Sequence, residues 1–184
     1  MNPIFAAALE VEQLCRRAKL RFCFIGGLAV QRWGQPRMTA DVDLTVITGF
    51  GSEEPFVDAL LAGLRGRIGD AKQFALDHRT LLAMASNGVH VDVSLGAMPF
   101  EERSVDRASP FAIGDAASVT TCSAEDLIVH KAFAAREKDW LDIRGIVDRQ
   151  GPSLDRELIW TELQPLLELR DEPSIEPRLR ALMA

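Results

Sequence analysis

Residues 41–46 read Asp41-Val42-Asp43-Leu44-Thr45-Val46. An apolar residue falls at every second position, and a period of two is the signature of a strand. Val42, Leu44 and Val46 then share the core face, and Asp41, Asp43 and Thr45 share the opposite one. Residues i and i+2 of a strand project together, with Cα atoms about 6.6–6.8 Å apart. Aspartate is a poor strand former, and packing does not explain two like charges at this spacing. Two carboxylates reaching for shared metal ions do explain it. The bland alternative is the solvated face of an edge strand. The core-quality residues between the acids favour the metal-binding pair.

Working outward, Phe22 to Ile25 is a short apolar run that reads as a buried strand, broken by Gly26-Gly27. Leu28 to Trp33 reads as a short helix ended by Gly34-Gln35-Pro36. Backbone N–H groups of a Gly-Gly turn at a helix N-terminus can cradle a phosphate. A bare Gly-Gly is more often a tight turn with no ligand. Upstream, Asn2 caps a helix whose stripe is Ile4, Ala8, Val11, Cys15 and Ala18, with Pro3 in its first turn. Downstream, Ser52 to Leu64 reads as a helix.

Leu81–Ala85 and Val89–Leu95 flank Asn87-Gly88, a strong hairpin signal because both turn residues accept positive φ. Val91, Val93 and Leu95 point one way; His90, Asp92 and Ser94 point the other. Asp92 sits amid valines, where a buried unpaired carboxylate is costly and a metal would satisfy it. From Ser123 onward the chain reads as helical. Ser123 opens a capping box with Asp126, a break falls at Arg136-Glu137, and Gly151-Pro152 ends the next helix. Asp155–Glu168 and Ser174–Met183 read as two further amphipathic helices. The expected division is a core over 1–122 and a helical part over 123–184.

The 184 residues suffice for one domain, or one with a small helical appendage. With 47% hydrophobic and 26% charged residues, disordered, collagenous and low-complexity classes are excluded. No apolar run reaches membrane-spanning length, and the first residues lack the basic region of a secretory signal. Cys15, Cys23 and Cys122 are read as reduced thiols in a cytoplasmic protein. His78, His90 and His130 form no metal motif. The net charge of −6 argues against binding dominated by phosphate contacts. The local cluster Arg16, Arg17, Lys19 and Arg21 reads as a solvated helix end. Trp33, Trp140 and Trp160 are expected to pack rather than to stack on bases.

Ile25-Gly26-Gly27-Leu28-Ala29-Val30, then Gly34, Arg37, Thr39 and Asp41-Val42-Asp43-Leu44, resemble the signature of the DNA polymerase β-type nucleotidyltransferases. Within that superfamily the chain most resembles the AbiEii-type nucleotidyltransferases, a group that includes toxins of toxin–antitoxin systems. Asp92 matches the third carboxylate. Lys131, in the stretch His130 to Asp139, resembles the later Lys…Lys-Asp helical motif.

The resemblance implies an α+β fold, a short mixed sheet flanked by helices with a helical C-terminal part. It implies transfer of a nucleoside monophosphate from an NTP to an acceptor, with release of pyrophosphate. Asp41, Asp43 and Asp92 would hold two Mg²⁺ ions, and Asp92 would also serve as base. Gly26 and Gly27 would contact the triphosphate. Lys131 would neutralise phosphate charge, or its stem would snorkel to solvent. Arg37 and Thr39 would touch substrate or brace their loop. Asp139 joins the site through the family pattern, although a carboxylate in the first turn of a helix also suits the macrodipole.

The acceptor would be tRNA, a protein or a small molecule such as an aminoglycoside. A cognate antitoxin is the expected partner, and no membrane is. Two departures stand out: many relatives carry Gly-Ser where this chain has Gly26-Gly27, and little chain follows residue 150. A non-catalytic nucleotide- or partner-binding module of the same fold is the alternative.

Overall fold

A computed structural model describes residues 2–114, 117–170 and 172–184. The chain forms two compact units: Met1–Leu28 with Met38–Cys122, and Ala29–Arg37 with Ser123–Ala184.

The first unit is built on one sheet. Its strands are β1 (Phe22–Phe24), β2 (Asp41–Ile47), β3 (Arg65–Gly66), β4 (Thr80–Met84), β5 (His90–Gly96), β6 (Ser109–Ala112) and β7 (Ser118–Thr121). They lie in the order β3-β4-β5-β2-β1-β7-β6. β2 is parallel to β5 and β1 to β7, while the remaining pairs are antiparallel. The sheet is therefore mixed, as expected. The hairpin forms where Asn87-Gly88 predicts it, with Gly88 at φ 86° and its N–H donating to the Ala85 carbonyl.

One face of this sheet is apolar. Val42, Leu44, Val46, Leu81, Ala83, Val91 and Val93 are buried there. They pack with Ala7, Ala8 and Val11 of α1 (Pro3–Arg17), Val57 and Leu60 of α3 (Glu54–Leu61), and Ala71 and Ala75 of α4 (Ala71–His78). α1 starts as its sequence dictates: the Asn2 side chain accepts from the Ile4 N–H at 2.9 Å and Pro3 occupies the first turn. The opposite face is polar at one end only. The alternation of β2 holds at Asp41 and Asp43, then gives way to continuous burial from Leu44 to Ile47. There α5 (Pro99–Asp106) packs on the strand. Its Glu101 carboxylate accepts from the Ala97 and Met98 N–H groups, each at 2.9 Å. The acids are thus left at the uncovered end of the strand.

Of the boundaries that differ from the sequence reading, three concern helices of the first unit or its edge. α2 (Gly26–Trp33) begins on the two glycines, so they form its first turn rather than a break before it. α3 is shorter than 52–64, and Leu64 is buried beyond its end. Ala18 is the C-cap of α1 rather than part of its stripe.

The second unit holds the end of α2 and four further helices among the described residues: α6 (Ala124–Ala134), α7 (Glu137–Gln150), α8 (Arg156–Leu167) and α9 (Ile175–Met183). Ile128, Ile143, Ile146, Ile159, Leu163 and Ile175 are fully buried. Ser123 caps α6 by accepting from the Asp126 N–H at 3.0 Å. Ala135, left-handed at φ 56°, makes the break before α7. The 34–37 segment lies against α7: a Cβ on Gly145 would stand 3.1 Å from the Gln35 nitrogen.

No helix is long and apolar enough to cross a membrane. None of the three cysteines is in a disulfide, and all three are buried. Burial, with the Glu12 charge beside it, pushes the Cys15 thiol up to about 12, which removes it as a nucleophile.

Candidate active site

The register of β2 on β5 assembles the carboxylates. Asp43 lies opposite Asp92, and Asp41 opposite His90. In a parallel pair, residues in register project from the same face, about 4.8 Å apart at the strand spacing. Asp41, two residues before Asp43, joins them there. Three acidic residues from two adjacent strands therefore share one pleated patch, all half-buried. Like charges placed opposite one another destabilise a sheet, so the patch costs stability unless a cation is present.

The surroundings of the patch explain several other residues. The Thr39 hydroxyl donates to Asp41 Oδ1 at 2.9 Å, which orients that carboxylate. Gly26 has φ 57°, and a Cβ there would fall 2.0 Å from Asp43 Oδ2. A side chain at this position would displace the second carboxylate. At Gly27 a Cβ would fall 2.3 Å from Thr39 Oγ1. Both glycines are thus required by close approach, whatever else their N–H groups bind. The Ile25 N–H, donating to the Asp43 carbonyl at 2.9 Å, ties this turn to β2.

Asp92 has a neighbour that sequence reasoning missed. Arg67 Nη2 stands 2.9 Å from Asp92 Oδ1, with the two side chains 22% and 33% exposed. The contact has ion-pair distance without hydrogen-bond alignment. Asp92 Oδ1 is itself buried and lacks a hydrogen bond, as does Thr45 Oγ1 on the same face. Among the described residues, no three His, Cys, Asp or Glu side chains close into a ligand shell for a metal. The donor chemistry nevertheless fits a hard divalent cation: three carboxylates share one face, and one of their oxygens is buried without a hydrogen bond.

The other predicted site residues lie in the second unit. Lys131 is buried, and its Nζ donates to Asp139 Oδ1 at 3.1 Å and to Asp142 Oδ2 at 2.6 Å. Arg37 grips Asp142 in a two-pronged pair, with Nε to Oδ1 at 2.7 Å and Nη2 to Oδ2 at 2.8 Å. Arg136 grips Asp139 through Nε at 2.6 Å. Burial opposes ionisation of both acids. For Asp139, hydrogen bonds and charge from Arg136 and Lys131 outweigh it and hold the carboxyl below its ordinary range. For Asp142, Arg37 and Lys131 do the same. The Asp142 carboxylate is the buried hub of this network.

The basic cluster near the N-terminus is partly spent on neighbours. Arg16 pairs with Glu12 and Arg21 with Asp106. Each tryptophan ring has an arginine over its face: Arg32 on Trp33, Arg178 on Trp140 and Arg180 on Trp160.

Comparison with known proteins bears on the fold and the family. An antigenic nucleotidyltransferase-like protein from Paracoccidioides brasiliensis superposes with a TM-score of 0.54 at 17% identity, over 98% of this chain and 94% of the other. A complex of ANT(2")-Ia with adenylyl-2"-tobramycin is more distant, with a TM-score of 0.44 at 15% identity over 99% and 97%. The first likeness supports the nucleotidyltransferase fold. No curated protein sequence matches the chain. The sequence model of the family described as "Nucleotidyl transferase AbiEii toxin, Type IV TA system" matches residues 14–183. That match spans nearly the whole chain, which therefore belongs to the AbiEii nucleotidyltransferase family.

Proposed function

We propose that this chain moves a nucleoside monophosphate from an NTP to an acceptor, with Mg²⁺ held by Asp41, Asp43 and Asp92. The observation that carries this reading is the Asp43–Asp92 register, which puts three carboxylates on one face at the uncovered end of β2. A bound divalent cation supplies charge neutralisation for the polyphosphate and polarises the acceptor oxygen. The chain's own residues do the rest. Thr39 orients Asp41, Gly26 leaves space for Asp43, and Asp92 takes the acceptor proton. The N–H groups of Gly26 and Gly27, in the first turn of α2, are suited to a triphosphate.

The family's Lys…Asp motif assigns Lys131 and Asp139 to the nucleotide, with Arg37 nearby in the sequence signature. The ion network around Lys131 supports a different part for these groups, holding the helices of the second unit together. In this reading residues 1–122 carry the transfer chemistry, and the helices of 123–184 contribute to acceptor choice. The family name supports a toxin role in the cytoplasm under a cognate antitoxin.

The test incubates the protein with each α-labelled NTP and Mg²⁺, offering total RNA, protein and an aminoglycoside in turn. An Asp41→Ala/Asp43→Ala variant runs beside it. Label that reaches one acceptor and is lost in the variant establishes transfer and names the acceptor class. No label with any acceptor, while NTP still raises the melting temperature, overturns transfer in favour of a binding module.

A further inference from the structure

We infer that Arg67 is a built-in counter-cation of the third carboxylate, competing with the divalent metal for Asp92. The inference rests on the metal-binding reading of Asp41, Asp43 and Asp92, and it assigns a role to a residue outside that set.

Arg67 follows the edge strand β3, and its N–H donates to the Leu82 carbonyl at 2.9 Å. Leu82 is in register with Asp92 across β4 and β5. The backbone bond therefore anchors Arg67 two strands over from Asp92, with β4 between them, and its side chain reaches back across β4 to that acid. Nη2 meets Oδ1, the buried carboxylate oxygen that has no hydrogen bond.

An arginine placed to lock a carboxylate ordinarily does so with aligned, often two-pronged hydrogen bonds. Arg37 on Asp142 and Arg136 on Asp139 show that geometry in this same chain. Arg67 shows only proximity. It supplies charge to an acid facing two other acids, without fixing its lone pairs. A guanidinium held that way is displaceable, and it leaves Oδ1 when a divalent cation is bound.

Two consequences distinguish Arg67 from a structural ion pair. Its removal should tighten metal binding, because a competing charge is gone. It should also cost less stability than removal of Lys131, because the contact lacks aligned hydrogen bonds and both side chains stay partly exposed. A purely structural arginine would have the opposite effect on metal, since Asp92 would lose its orientation.

The experiment titrates Mn²⁺ into wild type, Arg67→Met and Arg67→Lys without nucleotide, reading free Mn²⁺ by EPR. Melting temperatures verify folding, and the lysine variant keeps the charge should the methionine variant fold poorly. The expected result is Mn²⁺ binding about fivefold tighter in Arg67→Met, the factor corresponding to about 1 kcal/mol, the upper end for a solvent-accessible pair. Arg67→Lys should fall between the two. Equal or weaker binding in a folded Arg67→Met overturns the inference alone. No Mn²⁺ binding in any of the proteins overturns the metal reading of the three aspartates and the inference with it.

Discussion

The molecule holds two groups of acidic residues, and they are treated in opposite ways. In the second unit Asp139 and Asp142 are buried, and each carboxylate is held by two cations: Lys131 with Arg136, and Lys131 with Arg37. In the first unit Asp41, Asp43 and Asp92 share a sheet face. There one hydroxyl orients Asp41, and an unaligned guanidinium stands beside Asp92. The first arrangement is complete without any ligand. The second keeps a buried oxygen unsatisfied. In the function proposed above, the cluster with the unsatisfied Asp92 oxygen is the one that takes an external cation. The complete one is shaped for the fold.

The largest test of this contrast is catalytic. Asp43→Asn should lower transfer on the order of 10²–10³-fold, the size seen when one preorganised electrostatic group is lost. Initial rates with the acceptor that the labelling assay names measure it, and a variant within tenfold of wild type would break the comparison. Next in size is Lys131→Met. It leaves two carboxylates in a buried site short of a cation, which costs about 3–5 kcal/mol, read from urea unfolding. A loss below about 1 kcal/mol would show that Asp139 and Asp142 are solvated after all.

Gly26→Ala comes third. It places a side chain at positive φ against Asp43, a conformation that costs roughly 1–2 kcal/mol for an L-residue. Transfer should fall further than that strain alone implies, because Asp43 must move. Unfolding and initial rates on the same preparation separate the two effects.

The smallest effect is a pH slope. Asp139 and Asp142 have lowered folded-state pKa values, so their contribution is fully present above the unfolded carboxylate value, about 3.9. It is lost as pH falls through the lowered folded values. Lys131→Met should therefore show a shallower loss of stability on acidification than wild type. Parallel slopes would mean that Lys131 does not hold those acids ionised.

The sequence already carried the strand at 41–47 and the hairpin across Asn87-Gly88, because period-two alternation and turn chemistry are local signals. The shared face of Asp41 and Asp43 follows from that alternation. Their meeting with Asp92 depends on which strands pair and in what register, which no local pattern specifies. The elements that went unread are short: β3 has two residues, and β6 contains Pro110, as an edge strand can. α4 and α5 have eight residues each, too few for a periodic stripe to declare itself.

Arg67 left no signal, being a single charge in a turn that only the fold brings to Asp92. For Gly26 and Gly27 the letters pointed to a phosphate turn. The structure adds a second requirement, room for Asp43 and Thr39. Lys131 read equally well as a phosphate ligand or a snorkelling stem. Its actual partners lie eight and eleven residues downstream, across the break between α6 and α7.

The most direct measurement of the contrast is unfolding free energy for Asp41→Asn beside Lys131→Met in metal-free buffer, with transfer assayed on the same preparations after Mg²⁺ is added. The account predicts that Asp41→Asn is as stable as wild type or more so, since it relieves repulsion on the sheet face, and that it loses transfer. Lys131→Met should lose stability. If Asp41→Asn unfolds as readily as Lys131→Met, or still transfers nucleotide at the wild-type rate, the sheet acids are structural and the account is wrong.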